Sequence, residues 1–161
     1  MVMPSQPNTD LSALIDSTDD FIWSVDVNYR LVAFNAALRA YYAINFGTRA
    51  EVGMRPEDLL PRDRAAIWYQ HYERALTDGS FQTESTRADD RVTQLTLNRM
   101  MGYGNVLGVS VFGRDITELK AAERCKQEAE RSYQAIFTGA LEGIYQTTIS
   151  GHVLSANPAL A

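Results

Sequence analysis

The first part of the chain contains two short apolar segments with a turn between them. Residues 21–26 and 31–34 are rich in β-branched and aromatic side chains, and residues 27–30 suit a turn. This pattern predicts a β-hairpin. Asn35 follows directly, at the position of a helix N-cap, and a helix is therefore predicted over residues 36–44.

Breakers and apolar periodicity predict further helices and three more strands. Gly53, Pro56 and Pro61 interrupt the chain before a second long helix, for which Asp63 suits the N-cap. The order of two strands, helices and three strands predicts an α+β fold, with a five-stranded antiparallel sheet flanked by helices. The predicted elements are a short helix at 11–15, a single turn at 57–60, a helix over 64–76, and strands over 81–87, 92–101 and 106–114.

The last of these strands is predicted to run into a long helix with no loop between them. Asp115 suits a helix N-cap, and Glu118 three residues later would complete a capping box. Residues 119–133 contain no Gly or Pro and are rich in Ala, Glu, Lys and Arg, which is typical of an exposed helix. A change felt on the strand could therefore pass directly to the helix.

Two features of the sequence together resemble a PAS sensor domain. One is the succession of hairpin, Asn35 and helix, and the other is the run Asp115-Ile116-Thr117 after a Gly-rich hairpin. PAS domains end their last strand in an Asp-Ile-Thr motif that leads into a signalling helix, so these three residues would form the signal joint. The resemblance covers residues 11–117 and implies the PAS fold. The polar residues 1–10, with two prolines, are predicted to be disordered.

The N-terminal pattern recurs near the C-terminus. Shifting the sequence by 122 positions aligns Trp23 with Tyr145 and Asn35 with Asn157 without a gap. A repeat of domain length that keeps the pattern, the turn and the cap together is a strong signal. Residues 139–161 are therefore predicted to be the truncated start of a second PAS domain, in a fragment of a longer protein with tandem domains.

The helix between the two copies, predicted over residues 118–138, carries a heptad-like seam. Small residues and one lysine make this seam weak, which predicts a marginal parallel homodimer. The alternative is a single helix with a solvated, charged face. The seam residues, spaced alternately by three and four positions, are Leu119, Ala122, Lys126, Ala129, Tyr133 and Ile136.

The resemblance also implies a central cavity between the sheet and the helices. Strand alternation places Trp23 and Val25 on one face together with Phe21. These large side chains can simply fill the core, which is the favoured interpretation, and a small-ligand site is the alternative. The residues implied to face the cavity are Trp23, Val25, Phe34, Tyr41, Tyr42, Trp68, Thr93, Leu95, Leu97, Val109 and Val111.

The cofactor-binding patterns of PAS relatives are not matched in this sequence. Flavin-binding relatives carry a pocket cysteine and a glutamine on the last strand. Here the single cysteine, Cys125, lies in the linker, and Gly113 occupies the strand position. Haem-binding oxygen sensors place a histidine where this sequence has Trp68, and His71 comes almost a full turn later. Neither flavin nor haem is therefore expected, and an unidentified small ligand stays open.

Composition narrows the function further. The hydrophobic content of 45% and the charged content of 22% suit a globular protein, and the net charge of −5 argues against nucleic acid as a partner. No apolar run approaches the about 20 residues that span a bilayer, and the N-terminus lacks a secretory signal. A cytoplasmic location without membrane contact is therefore predicted. Spacing suggests neither a nucleophile–base pair nor a metal-ligand cluster, so the fragment itself is not expected to be an enzyme.

The sequence thus predicts a sensory and dimerising PAS module of a signal-transduction protein. A change induced by a ligand or a partner would pass through the joint and the linker helix to an output domain in the same chain. The resemblance implies a histidine kinase or a GGDEF diguanylate cyclase as that output. The alternative is a ligand-free PAS scaffold used only for protein–protein interaction, and a small enzyme is a third interpretation with no supporting cleft of paired titratable groups.

Overall fold

The computed structural model of the protein describes residues 7–160, with side chains from Leu11 onward. The chain divides into two compact units, of which the first ends at Thr117 and the second begins at Glu118. The elements are α1 Pro7–Asp16, β1 Phe21–Asp26, β2 Leu31–Phe34, α2 Ala36–Phe46, α3 Pro56–Leu59, α4 Arg62–Asp78, β3 Phe81–Thr86, β4 Val92–Gly102, β5 Asn105–Asp115, α5 Thr117–Gly139, β6 Tyr145–Thr147, β7 Val153–Ala156 and a 3₁₀ turn Pro158–Leu160.

A five-stranded sheet in the order β2-β1-β5-β4-β3 forms the centre of the first unit, and every neighbouring pair is antiparallel. Its inner face is the one predicted from strand alternation. Trp23 stands opposite Val111, and Val111 in turn stands opposite Leu97 on the other side. All three are buried, and side chains of α2 and α4 complete the same core. The predicted fold class, an α+β domain with this sheet and flanking helices, is confirmed.

Asn35 organises the entry into α2. Its Oδ1 accepts the backbone N–H of Leu38 at 3.2 Å, as an N-cap does, and also the N–H of Ile22 at 3.2 Å. Its Nδ2 donates to the carbonyls of Asp20 and Ile15 at 2.7 and 3.0 Å. The side chain is fully buried, so it fixes the start of α2 against β1 and the segment before β1. The predicted role of Asn35 as a cap is correct.

Some boundaries differ from the prediction. The prediction of disorder over residues 1–10 is wrong for residues 7–10, because α1 begins at Pro7, and residues 1–6 lie outside the described range. α4 begins at Arg62 after Pro61, and Asp63 stands in its first turn rather than at its N-cap. The predicted cap at Asp63 is therefore wrong. Proline, with φ fixed and no N–H to satisfy, suits the start of a helix and moves it two residues earlier.

The second unit contains α5 from Glu118 onward and a two-stranded hairpin of β6 and β7. Every α5 side chain is exposed or partly exposed, including Leu119 at 56%, Tyr133 at 59% and Ile136 at 67%. Lys126 Nζ lies 3.9 Å from Glu130 Oε1, a spacing typical of a weak surface ion pair on one helix. The pairing of the seam with a second copy stays a prediction. Within residues 7–160, no helix is both long and apolar enough to cross a bilayer.

Candidate functional site

A cavity of about 250 Å³ lies in the first unit between the inner face of the sheet and helices α2 and α4. Sites for small molecules usually measure about 300–1,000 Å³, so this one suits only a compact ligand. Most of its lining is aromatic or aliphatic, with polar groups on the side of α4 and β3. The lining residues are Phe21, Trp23, Leu38, Tyr41, Tyr42, Leu60, Asp63, Arg64, Ile67, Trp68, His71, Ser85, Thr86, Arg87, Thr93 and Leu95.

Six of the residues predicted to face a cavity do line it, and five do not. Those in the lining are Trp23, Tyr41, Tyr42, Trp68, Thr93 and Leu95. Val25 lines a separate void of only about 10 Å³. Leu97, Val109 and Val111 are completely covered in the core, and Phe34 is half-buried on β2. The cavity is therefore displaced from the centre of the sheet toward β3 and the first half of β4.

Arg64, Arg87, His71 and Ser85 belong to the lining but were not among the predicted residues. Strand or helix spacing in the sequence offers a signal for each of them. Burial alternates along β3, so Ser85 faces inward, and the same alternation carried two residues further reaches Arg87. Arg64 and His71 lie seven residues apart, two turns of α4, and hence on one face of that helix.

Aromatic side chains beside the cavity contact one another in the core through a hydrogen bond and through ring packing. Trp23 Nε1 donates to the hydroxyl of Tyr72 at 2.9 Å, and Trp68 packs edge-on against Trp23 with ring centroids 5.1 Å apart. Burial raises the pKa of both Tyr72 and Tyr42 above the ordinary range, so both phenols stay neutral. These aromatic side chains are thus uncharged, and Trp23 is joined to Tyr72 by a hydrogen bond.

One polar group of the lining has no partner. Thr93 is 2% exposed, and its Oγ1 makes no hydrogen bond among the described residues. A buried hydroxyl left without a hydrogen bond costs about 1–3 kcal/mol.

His71 adds no positive charge to the cavity at neutral pH, because burial and the nearby Arg74 lower its pKa below the ordinary value. The cavity therefore combines apolar walls with an unsatisfied hydroxyl.

Arg87 is an enclosed charge of the lining, with 13% of its side chain exposed. Its Nε and Nη2 donate to the two carboxylate oxygens of Asp89 at 2.9 and 2.6 Å. Its guanidinium carbon lies 5.0 Å from the ring centre of Phe21 and 5.4 Å from that of Tyr41. The hydrogen bond to Asp89 raises the pKa of Arg87, so the residue is a permanent cation beside the aromatic wall.

Asp115 and Thr117, two residues of the predicted signal joint, bond to each other. Asp115 Oδ1 accepts the backbone N–H of Thr117 at 2.9 Å and its hydroxyl at 2.6 Å. These bonds, ahead of the nearby arginines, lower the pKa of Asp115 below its ordinary value. The predicted capping box with Glu118 is not formed among the described hydrogen bonds. Because α5 begins at Thr117, the Asp115 side chain reaches the first helical N–H instead of the third.

The joint is also tied to the start of β4. The N–H of Val92 donates to Thr117 Oγ1 at 3.0 Å, and the N–H of Ile116 donates to the carbonyl of Val92 at 2.9 Å. Ile116 is 7% exposed, so the middle residue of the joint anchors it in the first unit. The adjacent residue of β4 is Thr93, which lines the cavity.

The turn between β3 and β4, residues 87–91, contacts both the cavity lining and the joint. On the joint side, Asp115 Oδ2 lies 3.1 Å from Arg91 Nη1 and 3.7 Å from Arg87 Nη2. On the cavity side, the N–H of Ala88 donates to the hydroxyl of Tyr41 at 3.1 Å. The turn therefore makes direct polar contacts with both regions.

In the second unit, Asn157 repeats the local arrangement of Asn35. Its Oδ1 accepts the N–H of Ile144 at 2.8 Å, and its Nδ2 donates to the carbonyl of Glu142 at 2.9 Å. Its own N–H donates to the carbonyl of Ile144 at 2.9 Å. Each partner lies 122 positions after the corresponding partner of Asn35, which is the offset of the sequence repeat.

The sequence profile of one protein family, described as PAS fold, matches residues 15–121. No curated protein matches the chain. Three similar solved structures are a phage VqmA–DPO complex, a Vibrio cholera VqmA–ligand–DNA complex and a C-terminal domain from Streptococcus mutans.

The phage VqmA structure has a TM-score of 0.55 and 19% identity, over 77% of this chain and 58% of that one. The Vibrio cholera VqmA structure has a TM-score of 0.54 and 18% identity, over 71% and 54%. The Streptococcus mutans domain has a TM-score of 0.54 and 11% identity, over 76% and 96%. The chain thus spans little more than half of the VqmA chains, and at these identities the likeness concerns the fold.

The comparisons correct one sequence-based prediction. Nucleic acid was excluded as a partner because the net charge is −5. This exclusion is wrong, because the same fold occurs in VqmA, which was solved in complex with DNA. A net charge sums over the whole surface and does not describe the charge of any one patch.

Proposed function

The chain belongs to the PAS fold family over residues 15–121, and on that basis we propose that it is a sensor whose cavity binds a small molecule. The PAS domain is itself non-catalytic, and the signal passes from the cavity through the Asp115-Ile116-Thr117 joint into α5. The downstream output is a histidine kinase or a GGDEF diguanylate cyclase in the same chain. This assignment of the output rests on the family resemblance alone.

The unpartnered hydroxyl of Thr93 in a largely apolar cavity carries the proposal. A solidly packed core, the interpretation favoured by the sequence, would leave no space of about 250 Å³ beside this residue. A bound molecule that bonds to the hydroxyl would offset part of its desolvation cost. Flavin and haem remain unexpected, and absorption of the purified protein near 450 or 400 nm, the approximate band positions of those cofactors, would contradict that expectation.

The route from cavity to α5 is supported by contacts at the start of β4. Thr93 lines the cavity, and the preceding residue, Val92, bonds to both Ile116 and Thr117. A shift of Thr93 upon binding would therefore act on the joint through one peptide unit. A ligand can change the state of α5 only if it binds the two states with different affinity, and this short connection offers the means.

A screen by thermal unfolding tests ligand binding in the complete chain. A library of small metabolites is compared between the wild type and Ser85→Trp, in which an indole would occupy the cavity. A true ligand at about 100 times its dissociation constant stabilises the fold by about 2.7 kcal/mol in the wild type, and hence raises its midpoint by several degrees. The same compound should not shift Ser85→Trp.

Hydrogen exchange then tests the passage of the signal. The ligand should change exchange of the amides at 116–120 in the wild type. If no compound in a broad library shifts the wild type, or if hits shift both variants equally, the ligand-free scaffold is the better function. If a ligand binds without any change at 116–120, the joint is not the route.

We also propose that residues 139–161 begin a second PAS domain. Support comes from the side-chain hydrogen bonds of Asn157 to Ile144 and Glu142, which reproduce two of the four made by Asn35 at the same offset as the sequence repeat. The antiparallel hairpin of β6 and β7 ends at Asn157 as the hairpin of β1 and β2 ends at Asn35.

A further inference from the structure

We propose that the cavity takes a compact aromatic acid, and that Arg87 receives its carboxylate and reports its presence to Asp115. This inference rests on the proposed ligand-binding function and adds to it the class of the ligand and the residue that couples the ligand to the joint. The aromatic walls of the cavity, the enclosed guanidinium of Arg87 and its ion pairs with Asp89 and Asp115 point to this class of ligand.

The walls favour a flat ring. Phe21, Trp23, Tyr41, Tyr42 and Trp68 all line the cavity, and their rings contact one another at centroid distances of 5.1 to 5.8 Å. Aromatic side chains gain from offset or edge-on contact with a further ring, beyond the area they bury. A volume of about 250 Å³ limits that ring system to one or two fused rings.

The charges of the lining favour an anion. Two arginines, Arg64 and Arg87, line the cavity, and the one carboxylate in the lining is the exposed Asp63. The guanidinium of Arg64 lies 6.0 Å from the ring centre of Phe46 and has no ion pair among the described residues. Arginine presents five N–H donors in a planar fork that matches a carboxylate, so it suits an acid better than a neutral ligand.

Arg87 has one edge of its fork available for such an acid. Nε and Nη2 form the side edge, and Asp89 occupies that edge with two hydrogen bonds. The end edge is formed by Nη1 and Nη2. Asp115 interacts with it only weakly, because Asp115 Oδ2 is 3.7 Å from Nη2 and thus beyond hydrogen-bond distance. An acid in the cavity can take this edge without displacing Asp89.

Occupation of the end edge would change the joint. The carboxylate of the ligand and that of Asp115 would compete for Arg87, so Asp115 would keep only Arg91 at 3.1 Å and its bonds to Thr117. Coupling between two sites is reciprocal. If the bound acid weakens the interaction of Arg87 with Asp115, removal of the Asp115 charge must make the acid bind more tightly. Arg87 would thus be both a binding residue and the start of the signal.

The experiment uses two acids and their neutral amides with the complete chain. Benzoate and indole-3-carboxylate are compared with benzamide and indole-3-carboxamide by calorimetric titration. In the wild type each acid should bind at least about tenfold more tightly than its amide. In Arg87→Met, which keeps an apolar stem beside Phe21 and Tyr41, this preference should vanish while amide binding stays. In Asp115→Asn the acid should bind about threefold more tightly, with the amide unchanged.

The outcomes separate this inference from the proposed function. If acids and amides bind the wild type equally, the cavity binds ligands but the acid class is wrong. If the acid preference survives in Arg87→Met, another residue receives the carboxylate. If Asp115→Asn does not alter acid binding, Arg87 does not report to the joint. If none of the four probes binds, the acid class is wrong, and the library screen by thermal unfolding alone decides whether the cavity binds a ligand. Should Arg87→Met not fold, the wild-type preference and Asp115→Asn still decide.

Discussion

The backbone N–H of Val92 donates to the hydroxyl oxygen of Thr117 at 3.0 Å, so the first residue of β4 is fastened to the first residue of α5. The same hydroxyl donates to Asp115 Oδ1 at 2.6 Å. Thr117 thus uses one oxygen atom as both acceptor and donor. This double use explains why a hydroxyl is needed at the last position of the joint, where a residue of the same shape without oxygen would serve neither bond.

Thr117→Val should loosen the start of α5. The substitution keeps the β-branched shape but leaves the N–H of Val92 without its acceptor, which costs about 1–3 kcal/mol. Chemical denaturation measures the loss, and hydrogen exchange should show faster exchange at Val92 and at 117–120. Thr138→Val, at an exposed position of the same helix, is the matched control and should change stability by less than about 0.5 kcal/mol. Equal effects of the two changes would show that the Thr117 hydroxyl does not hold the start of α5.

Asp115 should make stability depend on acidic pH. Its pKa is lowered in the folded protein, first by the bonds from Thr117, so the folded state favours the carboxylate. The resulting stabilisation is present above the ordinary aspartate pKa of about 4 and is lost as pH falls through the lower folded value. The difference in the free energy of unfolding between wild type and Asp115→Asn should therefore be constant from about pH 5 to about pH 7 and shrink below about pH 4.

A second variant separates charge from hydrogen bonding at the same position. Asp115→Ala removes the acceptor as well and should cost about 0.5–2 kcal/mol at neutral pH, as loss of a cap does. Asp115→Asn keeps one acceptor oxygen for Thr117 and should cost less. If the alanine variant were as stable as the wild type at pH 7, Asp115 would not hold the start of α5.

Features of the fold that depend on neighbouring residues can be predicted from the sequence more readily than features that depend on distant ones. Asn35 and the hairpin before it follow from local capping and strand chemistry, and the structure has both. The start of α4 was misplaced because Asp63 is a good cap in isolation, whereas Pro61 fixes the backbone two residues earlier. When two nearby residues can each start a helix, local rules do not decide which of them the helix uses.

The position of the cavity is a long-range property. Val111 and Leu95 face the same side of the sheet, yet Val111 is completely covered and Leu95 lines the cavity. Which of the two residues lines a cavity depends on the packing of other elements over the sheet, and the spacing of residues along one strand does not contain that information. The sequence places Arg87 at the end of a strand, whereas its contacts with Asp89, Asp115 and two aromatic rings arise only in the folded chain.

Tyr72→Phe should destabilise the first unit, although it removes only one hydroxyl group. The Tyr72 hydroxyl accepts from Trp23 Nε1 at 2.9 Å, and both residues are buried. Without that hydroxyl the indole N–H is left unsatisfied in the core, at about 1–3 kcal/mol. Urea denaturation followed by tryptophan fluorescence measures the change. Tyr103→Phe, at a fully exposed position, should be neutral, and a comparable loss there would attribute the effect to something other than the buried bond.

Asn35 and Asn157 make matching hydrogen bonds in the two units, and their replacement by alanine should reveal what each holds. The Asn35 side chain is fully buried and makes four bonds, two through Oδ1 and two through Nδ2. Asn35→Ala would leave several buried backbone groups unsatisfied, so it should lower the stability of the first unit by about 3 kcal/mol or more. Asn35→Asp should also destabilise, because a carboxylate cannot donate to the two carbonyls.

Asn157→Ala should act locally. Its side chain makes two of the corresponding bonds, to Ile144 and Glu142, beside strands of only three and four residues. Loss of these bonds should speed hydrogen exchange across residues 144–157, while the unfolding midpoint of the first unit stays unchanged. Asn157→Asp, which keeps the acceptor for the Ile144 amide, should have a smaller effect on that amide than alanine has. If exchange in residues 144–157 were the same in Asn157→Ala and in the wild type, the asparagine would not organise this hairpin, and the proposal of a second PAS domain would lose its structural support.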